Sequence, residues 1–279
     1  MKVNHIIKSI IAILSVNLIK LIKHNKWYED VCEYYSVSPK EAKALGIRKF
    51  GRKPDLPGSA TTHPVSGKTL EDIWDKYTRE TPEDINSFYK EIGSWAVFRQ
   101  AYYRRNLTGA NFVNGLTAGD RFCEYGSGIA PITNWIIRNM PNSSFELTIA
   151  DVESEHLTFG EWRLRKFIKT HNLQFKLTIL KINTRSLPLK GHYKAITILD
   201  VFEHLYNPLD VVKHLTDHLH TGGMLWENYL VEEEIHGSNL KESFDQRPLV
   251  FDHLYSTCRL ISGSLPDEVS GATRCWRKL

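Results

Sequence analysis

A chain of 279 residues with 42% hydrophobic and 24% charged residues is long enough to bury a substantial core and too apolar to be disordered along most of its length. A net charge of +4 is too small to indicate a nucleic-acid partner. Four scattered cysteines, Cys32, Cys123, Cys258 and Cys275, include no C-x-x-C pair, which excludes a zinc knuckle or disulfide framework and makes a reducing cytoplasm the expected setting. In chain order, the most apolar stretch comes first, a helix expected over residues 4–23. Ile6, Ile7, Ile10, Ile13, Leu14, Leu18, Leu21 and Ile22 share one side, and Asn4, His5, Lys8, Ser9, Ser15, Lys20 and Lys23 the other. Two faces and no small-residue cleavage site argue against a spanning helix or a signal peptide. Two readings remain: a helix docked on the protein's own core or on a second copy, or a lysine-rimmed helix on a membrane surface.

Next, "SVSPKEAKALG" predicts a short helix with Ser38 as N-cap, Pro39 in the first turn, Glu41 as capping-box acid and Gly46 as the stop. Residues 51–69, dense in Gly, Pro, Ser and Thr, read as a loop. Thr81 then caps a helix carrying Ile85, Phe88, Tyr89, Ile92, Trp95 and Phe98 at helical spacing, with Trp74 a further core candidate. We therefore divide the chain into a helical N-terminal extension, residues 1–80, and a main domain, residues 81–279. In the latter, "DRFCEYG", "FELTIAD", "FKLTILKIN", "YKAITILD" and "GGMLWENYL" are strand candidates, with Gly222 and Gly223 a turn before the fifth. Helical segments "ITNWIIRNM", "HLTFGEWRLRKFIKTH" and "NPLDVVKHLTDHL" alternate with them, which predicts an α/β fold with a mostly parallel sheet. "YSTCRLISGSL" and "GATRCWRKL", with no room for a helix between them, add an antiparallel hairpin.

The chemistry centres on "FCEYGSGIA", residues 122–130. Glycines after a first strand permit a tight turn and a close backbone approach to a ligand. As a dinucleotide fingerprint the third glycine would fall on Pro131, which lacks an N–H, and no G-K-[ST] follows to make a P-loop. Glu124, two residues before the first glycine, repels a pyrophosphate and suits a ligand carrying positive charge.

"EYGSGIA", "IAD" at Asp151, "LDVFEHL" and "LHTGGMLWENY", in this order, resemble class I, Rossmann-like S-adenosylmethionine-dependent methyltransferases. The resemblance covers about Leu116 to Leu230 and implies a seven-stranded sheet. It implies that Glu124, Tyr125, Gly126, Ser127 and Gly128 hold the amino-acid end of S-adenosylmethionine, the turn doing so through its backbone. Asp151 and Val152 would hold the ribose, Asn183 would stand near the adenine where the family often has an acid, and Asp200, Val201 and Phe202 would close the cleft. S-adenosylhomocysteine would be the product. Glu124 as a mere helix cap and Asp151 as a strand-end turn residue are the structural alternatives.

Methyl transfer to oxygen or nitrogen requires alignment and removal of a proton, for which His204, with neighbouring Glu203, is the candidate base. "D-x-x-E-H" also resembles a metal-binding stretch of some RNA-terminal and quinone-ring O-methyltransferases, which makes Asp200, Glu203 and His204, with His236, a candidate divalent-metal set. Tyr102, Tyr103, Tyr229 and His236 are candidates to border an acceptor pocket, and "YYRRN" at residues 102–106 reads as a solvated helix end. The expected activity is O- or N-methylation of a small molecule by a cytoplasmic enzyme, with membrane or homodimer contact through helix 4–23. The alternatives are a metal-dependent RNA-end methyltransferase and a non-catalytic protein that keeps the fold for binding.

Overall fold

The computed structural model describes residues 29–47, 73, 76–77, 81–104, 107–183, 186–230, 239–265 and 272–279. The expected helix 4–23, the loop 51–69, Trp74 and His236 lie outside the described residues, as does the side chain of Trp95. No helix among the described residues is long and apolar enough to cross a membrane.

Seven strands form one sheet: β1 (Arg121–Tyr125), β2 (Glu146–Val152), β3 (Lys176–Ile182), β4 (Tyr193–Ile198), β5 (Leu219–Glu227), β6 (Cys258–Ser262) and β7 (Arg274–Lys278). Their order is β3-β2-β1-β4-β5-β7-β6; the first five are parallel, and β7 runs antiparallel between β5 and β6. The central strands β1 and β4 are buried along nearly their whole length, as continuous apolar runs in a parallel sheet must be. Order reverses beside β1, so the carboxyl ends of β1 and β4 flank the topological switch point at which α/β sheets place a ligand crevice.

The described helices are α1 (29–35), α2 (Pro39–Ile47), α3 (Pro82–Tyr103), α4 (Pro131–Asn139), α5 (Glu155–Thr170), α6 (Pro208–Asp217) and α7 (Lys241–Thr257). The capping box at α2 forms as expected: Ser38 N and Oγ donate to Glu41 Oε2, at 2.8 and 2.7 Å. The helix nevertheless runs through Gly46 to Ile47. Thr81 Oγ1 caps α3 by accepting from Asp84 N at 3.2 Å. The helix α7 is not apparent in the sequence pattern, because Pro248 interrupts it and Tyr255–Thr257 read as the start of a strand. Gly222 and Gly223 also depart from expectation: they lie inside β5, near the register shift of the β4–β5 ladder at Tyr193/Ala195.

Residues 29–47 pack directly on the α/β domain. Val31 and Ala42 share one apolar cluster with Val97, Phe98 and Ala101 of α3, Ile129 and Phe159. Arg138 of α4 pairs with the buried Asp30 at 2.6 Å, and Tyr35 Oη donates to Glu155 Oε1 at 2.9 Å.

On the other side, β5 and β7 are joined by a fully buried ion pair between in-register neighbours. Arg274 Nε and Nη2 donate to Glu227 Oε1 and Oε2 at 2.6 and 3.0 Å, while Trp276 Nε1 and Tyr229 N supply further donors to the same carboxylate. Removing one partner strands a charge in a low dielectric. Arg274→Met should therefore lower the unfolding free energy by about 3–5 kcal/mol in urea titrations. Lys166→Met, which removes the exposed pair with Glu33, should cost no more than about 1 kcal/mol.

Candidate active site

The turn after β1 is built from residues that tolerate left-handed backbone. Gly126, Gly128 and Ala130 have φ of 66°, 51° and 52°, so the small residue at 130 stands where a glycine would be at ease. A Cβ on Gly126 would lie 2.1 Å from Val201 Cγ2, and one on Gly128 would lie 2.5 Å from Gln100 Oε1. Backbone here packs against the end of β4 on one side and α3 on the other.

Each N–H of the turn and of the first turn of α4 has an acceptor within the protein. Gly126 N and Ser127 N donate to Ala150 O at 2.7 and 3.1 Å, Ala130 N to Ser127 O at 2.7 Å and Asn134 N to Ala130 O at 3.0 Å. Gly128 N donates to Asp151 Oδ2 and Ile129 N to Gln100 Oε1. Glu124 Oε1 accepts from Ile132 N at 3.0 Å, and Oε2 from Thr133 N and Oγ1 at 2.8 and 2.7 Å. Pro131 has no N–H to offer. The structure corrects the expectation that the turn's backbone N–H groups hold a ligand. Glu124 caps α4, as its structural alternative had it, and its buried carboxylate also lines the adjoining cleft. Burial raises its pKa, against the lowering effect of the Thr133 and Ile132 donors.

Two connected compartments open at the carboxyl ends of the strands, with ≈ 500 Å³ and ≈ 790 Å³ of open space. Both are bounded by Gln100, Tyr125, Gly126, Gly128 and Asp200. The smaller adds Arg104, Glu124, Ser127 and Thr197. The Ser127 Oγ and Thr197 Oγ1 hydroxyls are buried there without hydrogen-bond partners. The larger adds Tyr89, Asp151, Val152, His156, Asn183, Val201 and His204. Burial pushes the Asp151 carboxyl up to about 6, opposed by the Gly128 and Val152 N–H donors.

Asp200 stands between the compartments at φ 55°, a conformation an aspartate tolerates better than most residues. Its N–H donates to Asn228 Oδ1 at 2.6 Å, Asn228 Nδ2 returns a hydrogen bond to Asp200 Oδ1, and Arg104 Nη2 pairs with Asp200 Oδ2. Arg104 therefore ends in the cleft rather than as a solvated helix end. Burial holds its pKa below the ordinary value, while the carboxylates of Glu124 and Glu203 act the other way.

Other expectations are also corrected. Phe202 does not line the cleft; it is buried in the core, stacked on Tyr229 at 5.0 Å. Tyr229 is itself fully buried, with Oη donating to Ser243 O at 2.5 Å, and does not border a pocket. Glu203 is buried outside the lining of either compartment, with Oε2 unpartnered, so it does not meet an acceptor directly. Tyr102 and Tyr103 pack edge to face on each other and line neither compartment. Asp200, Glu203 and His204 do not converge as a metal set: among the described residues no group of three His, Cys, Asp or Glu is placed to hold an ion. Sequence reasoning missed Tyr89, Gln100 and His156, which sit on helices with no motif of their own. It also missed Asn228, whose only signal is its place directly after a strand end.

The family model for a methyltransferase domain matches residues 123–225. No curated protein sequence is significantly similar to the chain. Among solved structures, TrmN from Thermus thermophilus matches with a TM-score of 0.44 and 14% identity over 61% of this chain and 48% of its own. The pyocyanin biosynthetic protein PhzM matches with a TM-score of 0.49 and 10% identity over 72% and 63% of the two chains. TehB from Haemophilus influenzae matches with a TM-score of 0.46 and 15% identity over 65% and 66%. The chain thus covers about half of the first and less than two thirds of the second.

The glycines generate a contrast. Gly126→Ala should cost about 2–4 kcal/mol in urea titrations, combining a left-handed backbone with a clash against Val201. Gly222→Ala, at φ 74° with nothing within 4 Å of its added Cβ, should cost only about 1–2 kcal/mol.

Proposed function

We propose that this chain, in which residues 123–225 form a class I, Rossmann-like methyltransferase domain, binds S-adenosylmethionine and methylates an oxygen or nitrogen of a small molecule. The observation that carries the reading is the unlike chemistry of the two compartments around one turn. The smaller gathers a carboxylate, a guanidinium and two unpartnered hydroxyls, a set complementary to an amino-acid zwitterion. The larger sets Asp151, at the end of β2, beside apolar Val152, Ile182 and Val201, a set complementary to a nucleoside. A turn with its backbone donors already committed and Glu124 beneath it disfavours a phosphate and favours a cation.

S-adenosylmethionine supplies a methyl group on a sulfonium, so the protein's task is alignment and proton removal. Arg104 is assigned to the cofactor carboxylate, exchanging its contact with Asp200 for it. Asp151 is assigned to the ribose hydroxyls, Asn183 to the adenine edge, and Asp200 to the boundary between the two ends. His204, which lines the larger compartment, is assigned to take the proton of the acceptor through a ring nitrogen.

Two measurements test the reading. A ribose hydroxyl needs the ionised form of Asp151, so S-adenosylhomocysteine affinity in calorimetry should rise with pH through about 6 and level off above it. About one pH unit below that point binding should be roughly tenfold weaker, and Asp151→Asn should remove the dependence together with most of the affinity. Arg104→Met should weaken S-adenosylhomocysteine binding by about tenfold to a hundredfold, the worth of a charge-assisted contact. The same variant should leave 5′-methylthioadenosine, which lacks the amino-acid end, unaffected; equal losses for both ligands would overturn the assignment.

A further inference from the structure

His156 is nearly fully buried, yet it lines the larger compartment beside Asp151. It lies in the first turn of α5, whose N-cap Ser154 accepts from Leu157 N. One ring nitrogen is engaged by the Ala96 backbone on α3. The other, Nε2, is buried with no hydrogen-bond partner. Since a backbone carbonyl can only accept, Nδ1 carries the proton and Nε2 presents a lone pair. Tyr89 of α3 meets the imidazole edge to face at 6.2 Å, so the ring is held from two points on the same helix. A buried acceptor without a donor is a standing cost, which a bound donor relieves.

We propose that His156 Nε2 accepts a hydrogen bond from a ribose hydroxyl of the bound cofactor, sharing the vicinal diol with Asp151. The inference rests on the S-adenosylmethionine reading above. It adds a cofactor contact that belongs to none of the motif residues. Asp151 already receives Gly128 N on one oxygen and Val152 N on the other, at 2.7 Å for the latter, so part of its acceptor capacity is committed before a diol arrives. A second carboxylate beside it would raise both pKa values and leave one of the pair protonated. An imidazole accepts without adding charge, and burial lowers the His156 pKa to about 4, so the lone pair persists through neutral pH. The titratable groups that line the same compartment are Tyr89 from α3, Tyr125 from β1, Asp151 from β2, and Asp200 and His204 from the segment after β4.

The test compares two isosteric variants by calorimetry with S-adenosylhomocysteine and its 2′-deoxy and 3′-deoxy analogues. His156→Gln keeps a polar group at the Nε2 position, whereas His156→Asn keeps only one near Nδ1. The expected result is a loss of about tenfold for His156→Asn and a smaller one for His156→Gln. One deoxy analogue should bind wild type about tenfold more weakly but bind His156→Asn no worse than the parent ligand does. Circular dichroism and thermal melts establish that both variants fold. Undiminished S-adenosylhomocysteine affinity in His156→Asn, or equal deoxy losses in wild type and His156→Asn, would overturn the proposal while leaving the cofactor reading intact. Absence of binding by wild type would instead overturn the cofactor reading, and this inference with it. If His156→Asn unfolds, the decision passes to His156→Gln and the deoxy pair: a deoxy loss smaller than in wild type supports the contact, and undiminished S-adenosylhomocysteine affinity with an unchanged deoxy loss, or absence of any deoxy loss in wild type, removes it.

Discussion

Commitment of the backbone donors between Gly126 and Asn134 to acceptors inside the protein is the constraint on which the site depends. A helix N-terminus ordinarily offers unsatisfied N–H groups and a positive dipole end to an anion. Here Glu124 reaches forward from β1 and takes that place, so one buried carboxylate both caps α4 and joins it to the central strand. The cleft above thus carries the Glu124 carboxylate and the Arg104 guanidinium in one lining. The turn is also closely packed: a Cβ on Gly126 would clash with Val201, and one on Gly128 would displace the Gln100 amide.

The site is completed from outside the segment that the family model spans. Tyr89 and Gln100 come from α3 and Arg104 is its C-cap; the helix changes direction at Gly93, where φ is 45° and ψ −138°. That break lets the first half of the helix supply Tyr89 to the larger compartment while the second half brings Gln100 to the turn and its C-cap Arg104 to Asp200. The helix is anchored in turn by the cluster it shares with Val31, Ala42, Ile129 and Phe159, so residues before the sheet help to shape the two compartments.

Glu227 and Arg274 pair with each other away from both compartments and bind β7 to β5, although Arg274 Nη1 is buried without a partner. Ser127, Thr197 and His156 each bury an unsatisfied atom in a compartment wall. Such groups lower stability in the free protein, and these three stand where a ligand in the compartments could satisfy them.

The strand positions, the α/β class, the closing hairpin and both helix caps at Ser38 and Thr81 were legible in the sequence, because they rest on local periodicity and short-range hydrogen bonding. What only the tertiary structure decided is which side chains face the cleft. Phe202 and Tyr229, adjacent to motif residues, turn into the core because they stack on each other, whereas Arg104 crosses from a distant helix to reach Asp200. Glu124 shows the same division in one residue: its charge and position are local facts, but its use as a cap follows from the placement of Ile132 and Thr133 above it. Contacts between residues far apart in the chain have no period and no spacing, and it is these contacts that complete the site.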